Sequence, residues 1–192
     1  TGCEDEGTRA ICKYLSICPT TVVLELLQNN ITALGCQFIG RLVNPHNLES
    51  KCQLQILKLD HNPIGSEGMM YLSEGLRMNK EITNLSLTYC NIDERGARYI
   101  FELLIFQSSE LDEIDLGGNH LRNAGTIEVL RGASIAKNLS RLSLFDNQFL
   151  EESPLPGLHC ADGRSRARSS AGTYRPLSRY RMGRSVQTGC RG

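Results

Sequence analysis

The sequence contains no tryptophan, and only 6% of its 192 residues are aromatic. A core built from this chain must therefore be aliphatic, mainly Leu and Ile. No run of about 18 apolar residues exists, which excludes a hydrophobic membrane-spanning helix. The first residues, Thr1-Gly2-Cys3-Glu4-Asp5-Glu6, are polar and acidic, so no signal peptide is visible, and an initiator Met is absent. Such a start fits a chain cut from a longer one. None of the eight cysteines forms a Cys-x-x-Cys pair, and no Cys/His spacing matches a zinc site. Free, buried thiols in a reducing compartment are the expectation, and cytoplasmic, with cytoskeletal or ciliary placement as a variant, is the location that follows. Three Asn-x-Ser/Thr sequons, at Asn30, Asn84 and Asn138, would matter only in a secreted chain.

Signatures of catalysis are missing too. There is no Gly-x-Ser-x-Gly, no His-Glu-x-x-His, no P-loop and no Gly-x-Gly-x-x-Gly. The four histidines stand at 46, 61, 120 and 159. His61 and His120 occupy equivalent turns, but Tyr89 stands between their units, so no metal set is expected. Asp112 and Glu113 would face opposite ways on a strand, which makes them a solvated edge rather than an acid/base pair. The expectation is a non-enzyme without cofactor.

What the chain has instead is an internal repeat. The frame Leu54-x-x-Leu57-x-Leu59-x-x-Asn62-x-Ile64 returns as Ile82…Leu85-x-Leu87-x-x-Cys90-x-Ile92. It returns again as Leu111…Ile114-x-Leu116-x-x-Asn119-x-Leu121 and as Leu139…Leu142-x-Leu144-x-x-Asn147-x-Phe149. First positions lie 28, 29 and 28 residues apart. An earlier copy reads Leu24-x-Leu26-x-x-Asn29-x-Ile31, and a half copy over 1–20 carries Gly7, Ile11 and Leu15. In each unit a glycine (Gly35, Gly68, Gly96, Gly125) follows six residues after the Asn/Cys position. Apolar residues at helical spacing come next, for instance Ile100, Leu103 and Leu104. Period 2 thus gives way to period 3.6, predicting one short strand, a turn and one helix per unit.

The residue types have physical reasons. The leucines of Leu-x-Leu point inward and stack on those of neighbouring units, each burial contributing roughly 1.5–3 kcal/mol. No unit can enclose its own apolar face, so several must stack. Asn29, Asn62, Asn119 and Asn147 are expected to form a ladder of side-chain amides bonded to turn backbone, with Cys90 filling one rung. The glycine permits close packing or a special backbone angle.

These residues resemble the leucine-rich-repeat family, in its ribonuclease-inhibitor-like subclass, over about 1–150. The resemblance implies an α/β fold: a right-handed solenoid with a parallel sheet on the concave side and helices outside. Units would start near 21, 54, 82 and 111, with a partial one at 139. The first full unit is longer, 33 residues from Leu24 to Leu57, and its excess falls in the loop-like Asn44–Ser50. No capping unit is evident, which suggests a fragment. From 151 the periodicity stops. Residues 151–192 hold eight Arg, no Lys and three acids, whereas 1–150 hold 13 basic and 18 acidic residues. A disordered basic tail is the expectation, and nucleic acid is a conceivable partner only there.

The resemblance also implies a protein-binding scaffold acting through the concave face. The candidate contacts are Glu25, Lys58, Ser86, Asp115 and Ser143 between the paired leucines, then Asp60, Thr88 and Phe145 one pleat on, with Leu27 and Gly117 in the same row. His61 and Tyr89, with Gln28, Gly118 and Asp146, lie at the rim. A regulator of small GTPases is the alternative, since Ran GTPase-activating proteins share the repeat type. Those typically end in an acidic stretch, and this chain ends in a basic one.

Overall fold

The computed structural model describes residues 2–106, 110–148 and, as backbone only, 173–174. The expected disorder of 151–192 and the place of Phe149 in the frame lie outside the described residues. Helix α1 (Glu4–Ile17) leads into strand β1 (Val23–Glu25). Then follow α2 (Ala33–Val43), β2 (Ile56–Lys58), α3 (Gly65–Leu76), β3 (Asn84–Ser86), α4 (Glu94–Ile105), β4 (Glu113–Asp115), α5 (Arg122–Ile135) and β5 (Arg141–Ser143). Strands β1 to β5 form a parallel sheet in chain order, with Leu24, Leu57, Leu85, Ile114 and Leu142 in register. A two-residue strand β6 (Thr173–Tyr174) pairs antiparallel with β5, placing Thr173 opposite Ser143. The fold is α/β, a solenoid of strand-plus-helix coils.

The leucine frame forms the dry interior. Leu57, Leu59, Leu87, Leu116 and Leu142 are completely buried, and Ile31, Ile64, Ile92 and Leu121 extend the same core under the turns. Cys12, Cys36 and Cys90 are buried there as free thiols, and burial pushes Cys12 and Cys90 up to about 12. Each inward side chain meets its equivalent on the next coil, so burial accumulates along the stack rather than within any one unit.

The amide ladder satisfies the turns. Asn62 Oδ1 accepts from the Asn29 and Ile31 amides at 2.9 and 3.0 Å, while its Nδ2 donates to the Leu26 and Leu59 carbonyls at 2.7 Å each. Asn119 repeats this with Cys90, Ile92, Leu87 and Leu116. Cys90 Sγ donates to the Leu59 carbonyl at 3.3 Å. A thiol on this rung keeps the donor half of the asparagine's work and loses the strong acceptor half.

Two turn types alternate along the stack. In one, the left-handed residue follows the ladder position directly (Asn30, Asn91, Gln148), and the described helices after it, α2 and α4, are capped by Thr32 and Asp93. In the other, the left-handed residue opens the helix (Glu4, Gly65, Arg122). Its amide donates to the backbone carbonyl of the next rung: Asn29, Cys90 or Asn147. The second residue of such a helix then reaches into the next coil. Asp5 Oδ1 accepts from the Thr32 and Gly35 amides at 2.9 Å each. Ser66 Oγ likewise accepts from the Asp93 and Gly96 amides. One coil thereby caps the orphan donors of the following helix.

Between α2 and α3 the backbones nearly touch. A Cβ on Gly40 would collide with the Tyr71 carbonyl oxygen, and one on Gly75 with the Gly40 carbonyl. Gly35, Gly68 and Gly96 serve packing as well, since a side chain there would strike Ile31, Ile64 or Ile92. The long first unit spends its extra residues on a loop after α2, where Asn44 and Asn47 each accept from the amide two residues on.

Candidate functional site: the solvent face of the sheet

Strand alternation turns every second residue away from the helices. The outward rows are Val23/Ile56/Asn84/Glu113/Arg141, then Glu25/Lys58/Ser86/Asp115/Ser143, then Leu27/Asp60/Thr88/Gly117/Phe145. The first of these rows was missed by a reading that began at the first leucine of each pair. The same period of two, taken one step back, would have found it. Glu113 links its row, accepting from Asn84 Nδ2 at 3.0 Å and from Arg141 Nη1 at 3.1 Å.

At the β1–β2 end, Lys58 Nζ lies 2.6 Å from Glu25 Oε1. That carboxylate, assisted by Asp60, pushes the lysine up from its ordinary value. Leu27 and Val23 are over 40% exposed beside the pair. Asp60 lies differently from what its outward position suggests, being only 7% exposed. Its Oδ1 accepts from Ser86 Oγ at 2.6 Å, from the Thr88 amide at 2.7 Å and from Thr88 Oγ1 at 2.8 Å. Ser143 is buried as well. Asp60, Ser86 and Thr88 therefore form one polar knot binding coil to coil.

Asp115 is half-buried, and its Oδ1 accepts from the Gly117 amide at 3.0 Å. Burial holds its carboxyl above the usual carboxylate range, and the nearby charge of Asp60 acts in the same direction. The Gly117 amide and the Ser143 hydroxyl oppose the rise without cancelling it.

The rim carries a row of rings. His61 and Tyr89 stack with centroids 4.8 Å apart and planes 11° off parallel, and Phe145 meets Tyr89 edge-on at 6.2 Å. Both His61 and Tyr89 are left-handed residues, a strained setting for bulky side chains. Ladder bonds from their amides, to the Thr88 and Gly117 carbonyls at 2.8 and 2.9 Å, hold them there. Glycines in the fourth coil make the row possible. A Cβ on Gly117 would sit inside the Phe145 ring, and one on Gly118 would overlap Tyr89. Tyr89 keeps 39% exposure, and its hydroxyl lies 3.5 Å from Asp146 Oδ2. His120 stands apart from the rings, 2.8 Å from Gln148 Nε2 through its Nδ1.

The structure thus unites His61, Tyr89 and Phe145 into a ledge, and ties Glu25 to Lys58 and Asp60 to Ser86 and Thr88. Among the described residues, no group of three His, Cys, Asp or Glu could hold a metal ion, and no helix is long and apolar enough to cross a membrane.

Comparison with known proteins matches residues 50–73 to the family described as Leucine Rich repeat. The ribonuclease inhibitor of Sus scrofa is 28% identical over 135 residues, covering 69% of this chain and 28% of the inhibitor. The NACHT, LRR and PYD domains-containing protein 4B of Mus musculus is 25% identical over 140 residues, covering 68% of this chain and 16% of that protein. The NLR family member X1 of Rattus norvegicus is 32% identical over 73 residues, covering 38% and 7% respectively. The chain spans less than a third of the length of each of these relatives. Together with the amide ladder, the register of the leucines and the strand–helix alternation, these likenesses support a leucine-rich-repeat fold similar to that of ribonuclease-inhibitor-like proteins.

Proposed function

We propose that the protein is a binding module that takes a protein partner on the solvent face of its sheet, with the His61–Tyr89–Phe145 ledge as the energetic centre and residues 1–150 as the binding unit. The observation that carries this reading is the ledge itself. His61 and Tyr89 stand on left-handed residues, Tyr89 and Phe145 are seated on Gly118 and Gly117, and the His61 and Tyr89 rings keep an edge to solvent. The repeat holds this position left-handed in every coil, from Gln28 to Asp146, and where the position carries a ring the backbone fixes it in advance; rigid aromatic anchors lose little freedom on docking and recur as hot spots. The likeness to a ribonuclease inhibitor, whose name states that it acts on another protein, supports the same class of role.

The test is affinity capture with the 192-residue chain as bait, comparing the original sequence with Tyr89→Ala/Phe145→Ala and with a helix-side control, Arg98→Ala. Partners identified by mass spectrometry should be retained by the control. They should bind the ring variant at least about 30-fold more weakly, the scale of a hot-spot loss of roughly 2 kcal/mol. Equal capture by all three chains would reject the ledge as the docking point. Stimulated hydrolysis in a panel of small GTPases would instead favour a catalytic regulator.

A further inference from the structure

We propose that the edge of the solenoid formed by the helix C-termini docks on an anionic bilayer surface, burying its exposed apolar tips among the lipids and setting its lysines against the headgroups. This edge lies opposite the strand ends that carry the ring ledge, so the proposal does not depend on the protein-binding reading.

The first observation is where exposed apolar side chains gather. Among the described residues, Tyr14 and Ile17 stand exposed at the end of α1, Leu48 in the loop after α2, Met78 after α3, Ile105 and Phe106 at the end of α4, and Ile135 at the end of α5. Every helix end thus contributes at least one. Ile17 is 72%, Leu48 95% and Ile135 60% exposed. At the helix N-termini, among the same residues, Leu34 alone is of this kind.

The edge is continuous from coil to coil. The Lys51 amide donates to the Ser16 carbonyl at 2.8 Å, and Asn79 Nδ2 donates to the Val43 carbonyl at 2.6 Å. Arg77 lies 5.0 Å over the Phe106 ring, and Asn138 Nδ2 donates to Glu110 Oε2 at 3.1 Å. Between the last two helix ends, Leu104, Ile105, Phe106, Leu111, Ile135 and Lys137 line a cavity of about 60 Å³. An apolar stripe running through every coil is more than scattered surface side chains explain. The extra residues of the long first unit add to it, because they build a fastened tip for Leu48. Asn47 Nδ2 donates to the Arg41 carbonyl at 3.0 Å, and Ser50 Oγ donates to the Leu42 carbonyl at 2.7 Å.

The second observation is charge. The chain has five lysines, and four of them, Lys13, Lys51, Lys80 and Lys137, stand exposed on this edge. Among the described residues, Lys13, Lys51 and Lys80 enter no ion pair. Glu102 is taken by Arg77 and Arg98 and Glu110 by Asn138. That leaves Glu49, Glu74 and Glu81 against the four lysines and Arg41. Residues 1–150 as a whole carry five more acids than bases, so this edge inverts the sign of the domain.

An anionic bilayer suits the combination. A side chain as exposed as Leu48 is buried only by a medium that closes round it, and acyl chains do so. Ammonium groups on flexible stems reach headgroup phosphates and carboxylates while the apolar tips sink between them. Two copies paired edge to edge would instead bring like charges together.

The test exploits the absence of tryptophan. Leu48→Trp in the full chain makes the loop tip the sole fluorophore of its kind, and Leu34→Trp is the control at the opposite helix ends. With phosphatidylcholine vesicles containing about 30% phosphatidylserine, Leu48→Trp emission should shift to the blue and be quenched by brominated acyl chains. Leu34→Trp emission should stay unchanged. Cosedimentation of the original chain with these vesicles should weaken at least about tenfold when Lys13, Lys51 and Lys80 are all changed to Gln. The triple variant Ile17→Ser/Leu48→Ser/Ile135→Ser should weaken it similarly, and pure phosphatidylcholine should bind far less. The tail arginines are common to all these chains, so the differences report the edge. All the altered side chains are exposed, and circular dichroism should show the fold intact. Leu48→Trp emission that ignores the vesicles, equal responses at Leu48 and Leu34, or sedimentation unchanged by the lysine variant overturns the proposal. So does a protein partner lost by the triple Ser variant in the capture experiment while vesicles go unbound, since the edge would then dock a protein. Failure of the ring variant in that experiment leaves the lipid contact standing.

Discussion

The two ends of the solvent face solve the same problem differently. At β1–β2 the charged positions neutralise each other across 2.6 Å, and the neighbours Val23 and Leu27 are flexible aliphatics. At β3–β5 the acids outnumber the cations, and the apolar area is aromatic surface, Tyr89 meeting Phe145 edge-on and stacking on His61 from the β2 coil. An exposed ion pair contributes little to stability, so the first arrangement is a way of being inert. The second keeps unspent charge and preorganised rings, which is what a docking surface needs. One scaffold, with the same dry interior throughout, therefore carries a self-compensated half and a half that the proposed function would make the active one.

That contrast can be broken or sharpened by substitution. The largest effect comes from removing the scaffold both halves share. Leu87→Asp places a lone charge where exposure is zero, at a cost of several kcal/mol, comparable with the whole stability of a domain. Far-UV circular dichroism should show loss of structure, and a native spectrum would contradict the stacked-coil packing. The same holds for Leu59→Asp and Leu116→Asp.

Next comes Gly118→Ala, which acts on the proposed active half alone. Its φ of +67° and the overlap of the new Cβ with Tyr89 should cost about 1–2 kcal/mol and displace the ring. The fold should survive with a lowered melting temperature, while partner affinity falls further than stability does. A variant with unchanged affinity would separate the ring's position from binding.

A smaller effect is expected from Asp115→Asn. Burial raises the Asp115 carboxyl in the folded state, so folding favours its protonated form. The stability this gives is complete below the unfolded carboxylate value, about 3.9, and is lost as pH rises through the folded value. Urea midpoints of the original chain should fall over that interval, and those of Asp115→Asn should be flatter. Parallel curves would show that Asp115 is not the group responsible. The smallest effect belongs to the self-compensated half. Lys58→Ala breaks an exposed pair and should leave the thermal midpoint where it was, and a clear drop would show that the β1–β2 end depends on that contact.

The repeat was legible because its cause is periodic. Leu-x-Leu followed by Asn three residues on states which side chains are inside and what pairs the turn, and the sheet register confirms each copy from Leu24 to Leu142. What stayed hidden depends on contacts between coils. Asp60 looks like any exposed strand residue until Ser86 and Thr88, 26 and 28 residues later, close over it. Asp5 and Ser66 look like ordinary first-turn residues, yet they cap helices in the next coil. The alternation of turn types escaped notice because two of its markers, Glu4 and Arg122, adopt the left-handed region without being glycine. Of the site, the aromatic members Tyr89 and Phe145 could be read directly. Their union with His61 required the two glycines beneath them to be seen as space rather than as missing side chains.

The alternating turns also define how this architecture can grow or shrink. Each turn type is written to meet the other kind on its neighbour, through a backbone carbonyl in one direction and a side-chain amide in the other. Excising a single coil would bring two like junctions face to face and lose a contact of the Asp5 or Ser66 kind, whereas excising two in succession would restore every junction. The heritable and engineerable quantum of such a chain is therefore a pair of coils, and duplication, shuffling or grafting by even numbers is the route that leaves its seams intact.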